Sequence, residues 1–172
     1  MADHYPEAWA AYTGHLRQTS ADWDREQHNL LGAYRDRLND PDQRMAAARA
    51  FVRFELSISS LYLNEERIEE VMQTPEVLVP FAALEVHYML HHGFLRRAQL
   101  LDGVGALAGH RIHIVHGRND AVCLPRAAHR LFEALQVVGA EVTLEFVEAA
   151  GHSDSEPPIS RALRQASDAL RT

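Results

Sequence analysis

A single cysteine, Cys123, stands among the 172 residues, so no internal disulfide can form. Nothing calls for an oxidising compartment, and a reducing cytoplasm is the expected setting. Long apolar runs are missing too; none approaches the roughly 20 residues of a membrane-spanning helix. The opening stretch, MADHYPEAW, lacks the apolar segment of a secretory signal. Positive charge is outnumbered: 17 Lys and Arg against 24 Asp and Glu leave a net charge of −7. That balance argues against a nucleic-acid partner or an anionic membrane surface. Internal repeats and low-complexity tracts are absent as well.

What is present fits a folded chain with a core, 47% of it hydrophobic and 24% charged. The first half reads as helices without a strand. A short pattern covers residues 6–16, and a helix is expected over 24–38, with Leu30, Leu31, Tyr34 and Leu38 on one face. Asp40 and Pro41 give the N-cap and first-turn proline of another, over 42–63, whose apolar stripe is Phe51, Phe54, Ile58 and Leu61. Asn64 can cap an acidic helix over 65–73. Pro75 opens the next, over 76–92, which Gly93 stops; Pro80 either kinks it or delays its start.

Then the pattern changes. A glycine-bearing connector over 94–109 leads to a strand at 111–116, a helix from Pro125 to Val138, a strand at 141–147 and a last helix from Pro158 to Leu170. Strand, crossover helix and strand make a right-handed parallel βαβ unit. The division expected is a helical region over 1–104 and an α/β region over 105–172. Two parallel strands alone make a poor sheet. The edge of the first strand is therefore expected to be filled, by a second copy in a homodimer or by another chain.

Two runs at the ends of these strands carry chemistry. HGRNDAVCLP follows the first and presents Asp120; AAGHSDSEP follows the second and turns on Gly151 to present His152. In open α/β sheets, chemistry collects at the carboxyl ends of parallel strands. A carboxylate that orients an imidazole is half of a nucleophile-activating triad, and acid then base is the closing order of the α/β-hydrolase triad. Spacing alone would equally allow an exposed loop acid and a turn histidine.

These two runs resemble the closing motifs of prolyl aminopeptidases (proline iminopeptidases), α/β-hydrolases whose pattern is close to HGRYDxVCP and then AGHSxxEPxI. Upstream, LLGAYRDRL, AAARAFVRFELSISSL and FAALEVHYMLHHGF resemble that family's helical cap. The resemblance implies a truncated α/β-hydrolase fold, the C-terminal half only: a helical cap, a two-stranded parallel βαβ unit and a C-terminal helix. It implies that Asp120 is the triad acid and His152 the triad base. No G-x-S-x-G occurs in the sequence, so the nucleophile elbow is missing from it.

The resemblance also places Glu55, in FVRFEL, and Glu85, in LEVHYM, on glutamates that bind the substrate's free amino group in the family's W-x-x-W-E and E-x-H-Y-F motifs. Phe54 and Tyr88 fall beside them as substrate-binding residues. Phe51 and Phe54 stand for the two tryptophans and Met89 for the final aromatic, changes that reshape the pocket floor; Asn119 stands for the tyrosine before the acid, a departure near Asp120 and His152. From the residues themselves, Glu85 lies in an apolar stripe of Val77, Leu78, Phe81, Leu84 and Tyr88, where an ionised carboxylate needs a cation or donor. The plainer alternative is a helix-edge glutamate that reaches solvent.

His87 and His91, at i and i+4 with His92 adjacent, can present two imidazoles to one metal, but no third ligand is apparent. Neither metal nor cofactor is expected. His110, His113 and His116 read as structural or rim residues. Cys123 is also read as structural, since the resembled family carries a cysteine there and uses serine elsewhere; Ser153 lacks an elbow sequence. Three functions remain open. The chain is a self-sufficient enzyme that acts on a small amino-bearing substrate through Asp120 and His152, by cyclisation, elimination or hydrolysis. Or it is one half of a split serine aminopeptidase, or a non-catalytic amine-binding protein. An initial Met and a complete final helix favour the first.

Overall fold

The computed structural model describes residues 1–171. The chain divides into two units, Met1–Ile58 with Leu63–Leu95, and Ser59–Tyr62 with the chain from Arg96 onward.

The first unit is helical. Its opening helix, α1 (Pro6–Thr19), is followed by α2 (Trp23–Glu26) and α3 (Leu30–Asn39), which share the stretch expected as one helix. The break has a local cause. The Asn29 side chain accepts from Gly32 N at 3.1 Å and caps α3, which holds Asn29 itself outside helical geometry. Buried Arg37 then joins the pieces. Its guanidinium donates to Leu16 O and Thr19 Oγ1 of α1, to Ala33 O of α3 and, at 2.7 Å, to Glu26 Oε2 of α2.

Next, α4 (Arg44–Ser59) begins after a turn in which the Asp40 carboxylate accepts from Asp42 N at 2.9 Å. It stops short of residue 63: past Ser59 the chain leaves the helix, and Leu61 N donates to Glu156 Oε2 within the second unit. Asn64 caps α5 (Glu65–Met72) by accepting from Arg67 N at 2.9 Å. The last helix of the unit, α6 (Pro75–Leu90), runs through Pro80 and ends before a left-handed turn at Gly93, φ 63°.

Aromatic rings build the centre of this unit. Tyr12 and Tyr34 stack with centroids 4.5 Å apart, and the Tyr34 hydroxyl donates to Tyr12 O at 2.8 Å. Phe51, Phe54 and Ile58 of α4 are buried, as their stripe predicted; Leu61 lies beyond the helix end. The core stripe of α6 is Leu78, Ala82 and Val86. This corrects the stripe expected around Glu85: Val77, Phe81, Leu84 and Tyr88 are 37–62% exposed. The helix is apolar on several faces, so periodicity by itself did not select the one the core takes.

The second unit holds a short helix, α7 (Gln99–Asp102), and then β1 (Arg111–Gly117), α8 (Pro125–Val137), β2 (Glu141–Val147) and α9 (Pro157–Ala169). The strands are parallel, with Arg111 opposite Glu141 and Gly117 opposite Val147. The crossover helix α8 packs on both strands, and α9 packs chiefly on β1. Val147, Ala150, Ile159 and Ala162 form a core against which Val115 packs. Helices leading into a parallel βαβ unit are the arrangement expected of a partial α/β-hydrolase. Among the described residues the sheet has two strands, and no helix is long and apolar enough to cross a membrane.

Candidate active site

The register of the strands decides where the chemistry lies. Because Gly117 and Val147 end opposite each other, the loops that follow start side by side. They stay together: Arg118 N donates to Val147 O and Asn119 N to Ala150 O, both at 2.9 Å. Gly117 has to be glycine, since a Cβ there would overlap the carbonyl oxygens of Gly151 and Ala150. This close approach delivers Asp120 from one loop and His152 from the other.

Asp120 is 5% exposed, and both its oxygens are occupied. Oδ1 accepts from Val122 N at 2.9 Å and Cys123 N at 2.8 Å. Oδ2 accepts from His152 Nδ1 at 3.0 Å. His116 supports the same group: its Nε2 donates to Cys123 O at 2.8 Å and lies 3.4 Å from Asp120 Oδ2. A buried carboxylate is tolerable when donors surround it, and here they also fix its direction.

His152 is less enclosed, its side chain 38% exposed. Its loop leaves β2 through Ala149 in left-handed geometry, φ 52°, and passes Gly151. The N–H groups of His152 and Ser153 both donate to Ser59 O at 2.8 Å. Glu156 lies beneath, its Oε1 accepting from Gly151 N at 2.8 Å and its Oε2 from Leu61 N at 3.1 Å. With Nδ1 donating to Asp120, Nε2 is the basic nitrogen of the neutral ring. Such a pair can take a proton from water or substrate and return it, with the carboxylate stabilising the imidazolium in between.

In the first unit, Glu55 and Glu85 sense each other. Burial first, then the negative charge of Glu85, pushes the Glu55 carboxyl up to about 7. Burial and the charge of Glu55 likewise raise the Tyr12 phenol. Phe54 is buried against Tyr12 and Trp9, with centroids 4.5 and 5.9 Å away, and serves the core. Tyr88 is exposed and meets His87 and Phe94 edge-on. The two carboxylates share one environment, in which the charge of Glu85 disfavours ionisation of Glu55.

The remaining candidates are placed as follows. His87 and His91 have rings 4.6 Å apart, but His91 Nδ1 donates to His87 O at 2.7 Å. Among the described residues, no three His, Cys, Asp or Glu are grouped to hold a metal ion. Burial, and then the charge of Asp120, raises the Cys123 thiol, which keeps it protonated and a poor nucleophile. Ser153 Oγ bonds to Ser155 Oγ at 2.7 Å. His113 pairs across the strands with Thr143 Oγ1 at 2.6 Å. Sequence reasoning missed the support given by His116, Glu156 and Ser59. The first two lie inside the quoted runs, which was the available signal.

The chain matches no protein-family model. Curated proteins do resemble it. A proline iminopeptidase of Xylella fastidiosa is 33% identical over 169 residues, 96% of this chain and 50% of that protein. One of Arabidopsis thaliana is 31% identical over 97% of this chain and 42% of its own length. A putative proline iminopeptidase of Mycoplasma pneumoniae is 35% identical over 69% of this chain and 37% of its length. The chain thus spans about half the length of the curated relatives it matches. By these matches, and by the parallel βαβ unit that carries Asp120 and His152, the chain is a homologue of proline iminopeptidases over about half of their length.

Proposed function

We propose that this chain acts on a small amino-bearing substrate by acid/base chemistry, with His152 Nε2 moving the proton and Asp120 holding the ring. The observation that carries this is the 3.0 Å bond from His152 Nδ1 to a carboxylate that is only 5% exposed. General acid/base action of this kind is worth about 10²–10⁴ in rate, and serves cyclisation, elimination or water-mediated hydrolysis alike. Glu55 and Glu85 support an amine as the recognised group, because an ammonium beside them would offset the repulsion that helps raise the Glu55 carboxyl. No nucleic acid, membrane or cofactor enters this reading, and its single thiol suits the cytoplasm.

A second reading is favoured by the half-length match and by the lack of G-x-S-x-G in these 172 residues. In it, the chain is one half of a serine aminopeptidase whose partner chain brings the serine. Under both readings we propose that the free edge of β1 is filled, by a second copy or by that partner.

The test is turnover of amino-acid amides, proline amide included, by the purified protein and by His152→Ala. Cleavage by the parent and not by the variant supports the self-sufficient enzyme. Failure of both to cleave or otherwise transform any amide sets it aside. Amine binding that survives His152→Ala but not Glu55→Gln would then favour a binding protein, and activity restored by a serine-bearing partner would favour the split enzyme.

A further inference from the structure

The loop that presents His152 is tied down by a second carboxylate, to which the proton chemistry assigns no role. Glu156 is 9% exposed and stands just before α9, where a side chain often caps the helix it precedes. Here it makes no cap bond. Its oxygens turn instead to two different segments, Oε1 to Gly151 N at 2.8 Å and Oε2 to Leu61 N at 3.1 Å. Ser59 O completes the joint by accepting from His152 N and Ser153 N, both at 2.8 Å. Three successive N–H groups, of Gly151, His152 and Ser153, are thereby held by two acceptors. Space is equally constrained: a Cβ on Gly151 would meet Leu61 N at 2.8 Å and Glu156 Oε1 at 3.1 Å.

We propose that Glu156 is a positioning residue for the Asp120–His152 pair, fixing through the N–H groups of Gly151 and Leu61 the backbone from which His152 reaches Asp120. The inference rests on the acid/base reading of that pair, and adds to it a group that touches no reacting atom. The argument is one of pre-organisation. A ring that is 38% exposed is only partly held by its surroundings, so its direction depends on the Asp120 bond and on the backbone beneath it. Ser59 O grips that backbone at His152 and after it. Glu156 grips it before. A side chain with one accepting oxygen in place of two must release either Gly151 or Leu61, and the hinge then opens on the side where the loop leaves β2.

The test reads the tautomer of neutral His152 by long-range ¹H–¹⁵N spectroscopy, its signal assigned among the 11 histidines by its loss in His152→Ala. In the parent the Nδ1–H form is expected to dominate, because Nδ1 donates to Asp120. Glu156→Gln is expected to remain folded by circular dichroism while His152 moves toward the ordinary Nε2–H form. Gly151→Ala, which crowds the joint from the other side, is expected to do the same, and Glu156→Asp to restore the parent tautomer in part. If Glu156→Gln does not fold, the other two variants decide. An unchanged Nδ1–H signal in the folded variants overturns the proposal and leaves the pair standing. A parent protein with no Nδ1–H preference overturns the pair itself, and the proposal with it.

Discussion

Asp120 and Glu55 are both drawn out of water, and their surroundings differ in kind. Asp120 meets backbone N–H groups and imidazole; Glu55 is half-buried beside Glu85. Glu55 therefore ionises at about 7 in the folded chain against 4.5 for the free group. Between those values the native state binds more protons than the unfolded one. This contribution to stability is present below about 4.5 and is lost as pH rises through about 7. Glu55→Gln is expected to flatten that part of the pH–stability profile and to gain roughly 1–3 kcal/mol above it, measured by urea unfolding on both sides of neutrality. Equal slopes in parent and variant would mean that Glu55 ionises normally. The same titration bears on ligands. On the proposed amine-binding role, a primary amine should bind more tightly as pH rises through about 7, since Glu55 then ionises. For the proposed catalytic pair the change to make is Asp120→Asn, which keeps shape but offers Nδ1 a poorer partner. A fall of about 10²–10⁴ in kcat with little change in KM is the expected result, in whichever assay the parent responds to.

At the scale of elements, close approach and capping decide more than propensity does. Gly117→Ala would push a methyl group into the carbonyls of Ala150 and Gly151 and separate the two loops that β1 and β2 deliver. A loss of roughly 1–3 kcal/mol is expected by thermal or urea unfolding, together with loss of the Nδ1–H tautomer of His152. Arg37→Leu removes the cation that joins α1, α2 and α3 and leaves Leu16 O and Glu26 without their donor. Its cost should be about 2–4 kcal/mol, with the second unit's ladder still folded by amide exchange. These cases also show what was legible in the sequence. The βαβ unit and its two loops were, because strand patterns end on HGRND and AAGH within a few residues of the chemistry. The burial of Phe51, Phe54 and Ile58 was legible for the same periodic reason. The joint made by Glu156 was not: one of its two oxygens bonds the N–H of Leu61, 95 positions away, which no local pattern marks. Nor was the buried face of α6, since an apolar residue on every side gives periodicity nothing to choose between.

For the whole molecule, the proposal to test is that the edge of β1 away from β2 is filled. The two strands are unequal in this respect. β2 carries Glu141, Thr143 and Glu145 on exposed positions, and charge along a strand discourages further pairing. β1 runs Ile112, His113, Ile114, Val115 and His116 without a charged side chain between Arg111 and Gly117, and so invites it. Parallel strands are also seldom stable as a pair without more neighbours. A second copy of this chain, joined β1 to β1 about a two-fold axis, would make a four-stranded sheet from identical edges. Light scattering should then give twice the chain mass of 19.4 kDa across a dilution series. Amides of β1 that do not face β2 should exchange slowly. A monomer with fast exchange at those amides would rule out self-pairing, and protection that appears only when a serine-bearing partner is added would assign the edge to that partner. Mass and exchange together are needed, because a dimer formed elsewhere would double the mass and leave the β1 amides unprotected.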